Sequence, residues 1–176
     1  MNRRHIFSLS VITALGIALL PGSALAQQKL LKDQLVGTWT VTSWEQVRPD
    51  GSKLQRFGAN PMGVHVFDAN GRYVVVFQRS DLPKFASKDP MKTTPEENKA
   101  VMEGTIAYYG TYSVDEASKV ITLRVEASSF PNQIGADNKR TITSLTAGEL
   151  KYENTTVLSG GQIYIAFKRA PAAATN

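Results

Sequence analysis

The sequence predicts an all-β domain, a single antiparallel barrel of eight to ten strands with one short helix. Three observations predict it. Short segments that alternate apolar and polar residues recur at regular spacing, which is the pattern of strands with one buried face. Turn residues punctuate them, among them Asn70-Gly71, Gly148 and Gly160-Gly161. The opening segment carries Gly37-Thr38-Trp39, whose indole can plug one end of a closed barrel.

The elements follow in order. Residues 1–26 read as an export signal. Arg3 and Arg4 supply the positive start, and a mostly apolar stretch runs from Ile6 to Leu20. Pro21 and Gly22 end it, and Ala24-Leu25-Ala26 is a small-x-small cleavage pattern, so cutting is expected before Gln27. The stretch is short for a membrane span, and no stable span is expected after cleavage. Asn2-Arg3-Arg4-His5-Ile6-Phe7 is also similar to a loose twin-arginine signal, so either export route fits. The expected destination is the periplasm or the medium. Residues 27–34 are a polar lead-in, 35–169 the barrel, and 170–176 a tail with nothing to bury.

The chain has 176 residues and a formal charge of +5, which falls by two when Arg3 and Arg4 leave. Its basic residues are scattered, so no track for nucleic acid is expected. It has no Cys, so the domain relies on packing alone, without disulfides.

Within the barrel, residues 36–47 form a long alternating strand, and Pro49-Asp50-Gly51 a turn. Residues 62–68 and 72–78 flank Ala69-Asn70-Gly71 as a hairpin. Tyr73-Val74-Val75-Val76-Phe77 is apolar on both faces, so a cover for its outer side is expected. Residues 105–114 and 120–127 form a second hairpin around Asp115-Glu116-Ala117-Ser118. Residues 139–145, 149–158 and 162–169 complete a meander.

One insertion, residues 80–104, breaks this rhythm. Thr94-Pro95-Glu96-Glu97 is a capping box with Pro at the first helical position. The helix is expected to run to about Glu103 and stop at Gly104, covering the outer face of the all-apolar strand or one mouth of the barrel. Phe85 and Phe130 look like plugs that tie long connections to the rim.

Several motifs together resemble the lipocalin-like domain family of bacteria and fungi. They are Leu35-Val36-Gly37-Thr38-Trp39, Phe57-Gly58-Ala59-Asn60-Pro61-Met62-Gly63, Asp68-Ala69-Asn70-Gly71-Arg72 and Arg79-Ser80-Asp81-Leu82-Pro83-Lys84-Phe85-Ala86. The best matches are Glu103-Gly104-Thr105-Ile106-Ala107-Tyr108-Tyr109-Gly110-Thr111-Tyr112 and Val125-Glu126-Ala127-Ser128-Ser129-Phe130-Pro131-Asn132. The resemblance implies a lipocalin-type barrel with an internal cavity. The chain departs from the pattern at Leu123-Arg124, where a His is usual, and at Gln133, where a Trp is usual.

The candidate residues divide by role. In the lipocalin pattern, Gly37 and Trp39 with Arg169 close the barrel floor, an indole face meeting a cation. Tyr108, Gly110 and Tyr112 share a strand face assigned to the interior. Thr122, Arg124 and Glu126 share another face. It lies either in water or inside, where Arg124 and Glu126 would orient a guest. Arg79 either grips a ligand carboxylate or forms a surface ion pair with Asp81 or Glu103. His65 is the one imidazole after cleavage, too few for a usual zinc site. It is either a satisfied strand residue or an acid–base partner for Glu126. No nucleophile elbow, phosphate loop or dinucleotide fingerprint is present, and no cofactor or metal is expected. Asn154-Thr155-Thr156 fits a glycosylation acceptor, which a bacterial export signal argues against.

These readings converge on an exported carrier for a small hydrophobic or amphipathic ligand. The alternatives are a cofactor-independent isomerase or cyclase using Glu126, and an envelope protein whose barrel is filled by its own side chains.

Overall fold

The computed structural model describes residues 29–154 and 160–171. The export signal, residues 155–158 of one expected strand with the acceptor threonines, and residues 172–176 of the tail lie outside the described residues.

A short helix α1 (Leu31–Leu35) leads into β1 (Gly37–Val47), β2 (Lys53–Leu54), β3 (Met62–Phe67) and β4 (Arg72–Gln78). After the insertion and its helix α2 (Pro95–Gly104) come β5 (Thr105–Asp115), β6 (Val120–Ser128), β7 (Asp137–Leu145), β8 (Glu149–Asn154) and β9 (Gln162–Arg169). Every strand pairs antiparallel with its neighbour, and β1 also pairs with β9, from Trp39↔Arg169 to Val47↔Gln162. That pairing closes the sheet and removes its edges. The two-residue β2 hangs on the end of β1, so eight strands form the barrel.

The expected hairpins are present. Gly71 N–H donates to the Asp68 carbonyl, and Asn70 N–H donates to the Asp68 carboxylate. The capping box forms in full: Thr94 accepts from Glu97 N–H while the Glu97 carboxylate accepts from Thr94 N–H. The lead-in departs from expectation. Instead of a plain polar segment, 31–35 fold into α1, whose first amides donate to the Glu116 carboxylate at 2.8 and 3.1 Å. Leu35 at its end is fully buried.

The insertion also departs from expectation. Its helix covers neither the outer face of β4 nor the barrel mouth. Val74 stays 43% exposed, and no residue of 80–104 lines the cavity described below. The helix is instead pinned at the rim. Arg56 donates to the carbonyls of Met102, Glu103 and Thr105, a cation set against a helix C-terminus. Phe85 is exposed and plugs nothing, whereas Phe130 packs against the core.

Three bulges, in β1, β6 and β7, change which residues face inward. Between Val41 and Ser43, β1 carries one residue more than β9, so Trp39 and Val41 point inside before it and Trp44 and Gln46 after it. In β6 the extra residue is Glu126, between Val125, opposite Gly110, and Ala127, opposite Tyr109. A side chain on Gly110 would run into the Arg124 carbonyl, so β5 needs glycine where the strands approach most closely.

Candidate functional site: a half-filled barrel open at one end

The closed end is built from α1 and the ends of β1 and β9. Trp39 is fully buried and its indole N–H donates to the Leu35 carbonyl at 2.7 Å. The Arg169 guanidinium lies 4.0 Å from the centre of the Trp39 ring. It also donates to the carbonyls of Gln34 at 2.7 Å, Val36 at 2.9 Å and Ala147 at 2.7 Å. Gly37 adopts φ +131° beneath it, and a Cβ there would meet Arg169 Nη1 at 2.7 Å.

Above this floor the barrel is packed solid. Phe67, Tyr73, Ile121, Leu123, Leu150, Tyr152 and Phe167 are essentially sealed from solvent. Each buried side chain of this size contributes about 1.5–3 kcal/mol. Tyr112 belongs to this half: its ring meets Phe67 at 5.0 Å, and its hydroxyl donates to the Asp68 carbonyl at 2.9 Å.

His65 sits in the same packed half, fully buried. Its Nδ1 is 3.1 Å from the Tyr152 hydroxyl, and its ring lies 3.9 Å from that of Phe67. Burial, and secondarily the charge of Arg140, hold its pKa well below the ordinary value of 6.5, so the ring is neutral. Burial likewise pushes the Tyr73 and Tyr152 phenols far up, so both stay protonated.

Toward the other end, the interior opens into a cavity of about 590 Å³. That is within the range of about 300–1,000 Å³ typical of small-molecule sites. Trp44, Phe57, Phe77, Ile106, Tyr108, Ile163 and Ile165 supply its apolar lining, with Trp44 and Ile165 side by side on the paired strands β1 and β9. Trp44 and Phe57 meet edge to face at 5.3 Å. Phe130 and the single 3₁₀ turn Pro131–Gln133 border the mouth. Polar groups complete the lining: Asn138 and Arg140 from β7, Asn154 from β8 and Gln46 from β1. Gln46 Nε2 donates to the Gly160 carbonyl at 2.9 Å.

Of the candidates, Tyr108 lines this cavity, and Tyr112 does not because it belongs to the floor half. Arg124 and Glu126 lie on the outer face, which corrects the reading that placed them inside. Alternation along β6 buries Ile121, Leu123 and Val125 and leaves both charges exposed. Arg124 pairs with Asp137 at 3.2 Å, and Glu126 takes both arms of Arg72 at 2.8 Å. Glu126 and His65 are therefore on opposite sides of the barrel wall, and the acid–base pair is not assembled. Arg79 forms an exposed two-armed ion pair with Asp81 at 2.7 and 2.8 Å, away from the cavity.

Sequence reasoning missed Trp44, Phe57, Arg140 and Asn154. The bulge hides Trp44, because strict alternation from Trp39 turns it outward. Arg140 shares the parity of Ile142, which was the available signal, but its neighbours along β7 are mostly polar. Among the described residues, no group of three or more His, Asp or Glu is placed to hold a metal ion, and no helix is long and apolar enough to cross a membrane.

A barrel closed at one end by a tryptophan and hollow at the other defines a cup-shaped domain of the ligand-binding type. The chain belongs to the lipocalin-like domain family, whose sequence pattern matches residues 36–166. No curated protein sequence matches it. Among solved structures it is similar to a lipocalin-like protein from Bacteroides uniformis, at 11% identity and a TM-score of 0.42, covering 78% of this chain and 99% of that one. It is also similar to a redesigned β-barrel, at 14% identity and a TM-score of 0.42, covering 80% and 95%. A fluorescence-activating β-barrel of de novo design aligns at 14% identity and a TM-score of 0.42, covering 79% and 96%.

Proposed function

We propose that this protein is an exported carrier that holds one small apolar or amphipathic molecule in the open half of its barrel. The observation that carries this reading is the cavity of about 590 Å³, walled by Trp44, Phe57, Phe77, Ile106 and Tyr108. Apolar burial would supply most of the affinity, and the polar residues of the lining would set orientation. The fold family is consistent with such a ligand. The filled-barrel alternative loses support because the packing stops halfway up. The enzyme alternative loses its base, because Glu126 lies outside and is held by Arg72.

Export is part of the proposal and is supported by Arg3, Arg4, the apolar stretch and Ala24-Leu25-Ala26. Sequencing the N-terminus of protein recovered outside the cytoplasm tests it, with Gln27 expected as the first residue.

The carrier reading is tested by titrating the purified protein with the uncharged dye Nile red. Saturable one-to-one binding with quenching of Trp44 emission is expected. Dye that fails to bind, or binds without saturation, would overturn it.

A further inference from the structure

The cavity holds a buried positive charge with no anion to meet it. Arg140 points inward from β7 and is only 6% exposed. Its Nη1 donates to the Lys139 carbonyl at 3.0 Å and its guanidinium lies 6.0 Å from the Tyr152 ring, both uncharged partners. Its Nε has no hydrogen-bond partner. All 15 Asp and Glu residues of the chain fall among the described residues, and none of them forms an ion pair with Arg140. Asp137, the one acid on the cavity wall, is engaged by Arg124. A second cation, Arg56, also borders the cavity.

The neighbouring strand adds a second unmet group. Thr141 pairs with Glu153, which puts Arg140 and Asn154 next along the same ladder, both on the inward face. Asn154 is 6% exposed, and its side-chain oxygen is buried without a partner. A buried guanidinium without a counter-ion and a buried carbonyl without a donor are both costly, and both face the same hollow. His65 and the phenols below them are neutral, so nothing in the packed half offsets the charge.

We propose that the guest carries a carboxylate, which docks on the Arg140 guanidinium beside Asn154 while its apolar body lies against Trp44, Phe77 and Ile106. A guanidinium matches a carboxylate with two parallel hydrogen bonds, and the low polarity around it strengthens them. Asn154 then accepts from a hydroxyl on the guest or from a water carried in with it. This inference rests on the carrier reading and refines it: a medium-chain carboxylic acid or an acid of similar shape is the class of ligand.

The test uses the full mature chain and displacement of Nile red by three molecules of equal chain length: decanoate, decanol and decylamine. Decanoate is expected to displace the dye at a concentration about tenfold below that of decanol, with decylamine weakest. In Arg140→Gln the advantage of decanoate over decanol should vanish. Arg140→Lys, which keeps the charge but loses the fork, should fall between the two. Decanoate no better than decanol on the wild-type chain overturns the inference and leaves the carrier reading standing, and this comparison needs no variant to fold. A preference that survives in Arg140→Gln also overturns it. If neither the dye nor decanol binds, the carrier reading fails and this inference falls with it.

Discussion

Arg169 lies over Trp39 with its guanidinium carbon 4.0 Å from the ring centre, and the same guanidinium ties three backbone carbonyls from two separate segments. One side chain thus seals the floor, anchors α1 to β1, and fastens the turn between β7 and β8. We expect Trp39→Ala to lower stability by about 3–5 kcal/mol, the cost of a fully buried aromatic truncation. Arg169→Lys should cost about 1–3 kcal/mol, because a single ammonium cannot serve three carbonyls and a ring face together. Urea denaturation checks both, and an unchanged midpoint in either variant would refute the role assigned to it.

Gly37 tests the same seal from below. With φ +131° and a prospective Cβ 2.7 Å from Arg169 Nη1, Gly37→Ala combines backbone strain with displacement of the cation. A loss of about 1–3 kcal/mol is expected. The indole emission of Trp39 should also shift toward the red as water reaches the floor. A variant as stable as wild type would show that the seal does not need glycine.

The pH dependence of stability should carry the signature of His65. Its folded pKa is depressed well below 6.5, first by burial and then by Arg140. The unfolded chain recovers the ordinary value and so takes up a proton that the folded chain refuses. The stability contributed by the neutral ring is thus complete above about pH 6.5 and is lost as pH falls, by up to about 1.4 kcal/mol per unit. Asp50, Asp81, Glu97 and Asp115 also have lowered pKa values, and their contributions fade only at more acid pH. Denaturation midpoints measured between pH 7 and pH 5 should fall for wild type and flatten in His65→Gln. Equal slopes would mean that the buried imidazole is not the source.

Glu126 belongs to the outside. Its two-armed pair with Arg72 is about half exposed, so Glu126→Gln should cost less than about 1 kcal/mol and leave Nile red affinity unchanged. A sharp loss of dye binding in this variant would return Glu126 to the site.

The volume of the open half can be removed directly. Ile106→Trp directs a larger ring into the hollow beside Tyr108. Nile red affinity should drop by about tenfold or more, while the melting temperature holds or rises, since empty space is being filled. Undiminished dye binding would place the dye elsewhere on the protein.

Much of this architecture was legible in the chain. The hairpin at Asn70-Gly71 and the capping box at Thr94 could be read because their chemistry is local. Each depends on groups within four residues of one another. Trp39, Gly37 and Arg169 were legible through the family pattern, since that seal repeats with the fold. Tyr108 was placed correctly by alternation, because β5 runs without a bulge on the side that matters.

The rest depended on facts that no single segment contains. Trp44 faces the cavity only because β1 gains a residue against β9 at Val41–Ser43. Tyr112 shares the inward face of Tyr108 yet lies in the packed half, and distance along the barrel axis, not parity, decides which of them meets a guest. Glu126 sits in a family motif, but Val125 takes the inward position before it and the reach of Arg72 holds it in water. By itself, the sequence determined the strands, their turns, and a barrel with a tryptophan floor, because alternation and turn chemistry act between near neighbours. Only the tertiary structure decided where the filled half ends and which charge faces the hollow. Closure brings β7, β8 and β1 around one space, and whether Arg140 meets a carboxylate there depends on side chains far apart in the chain.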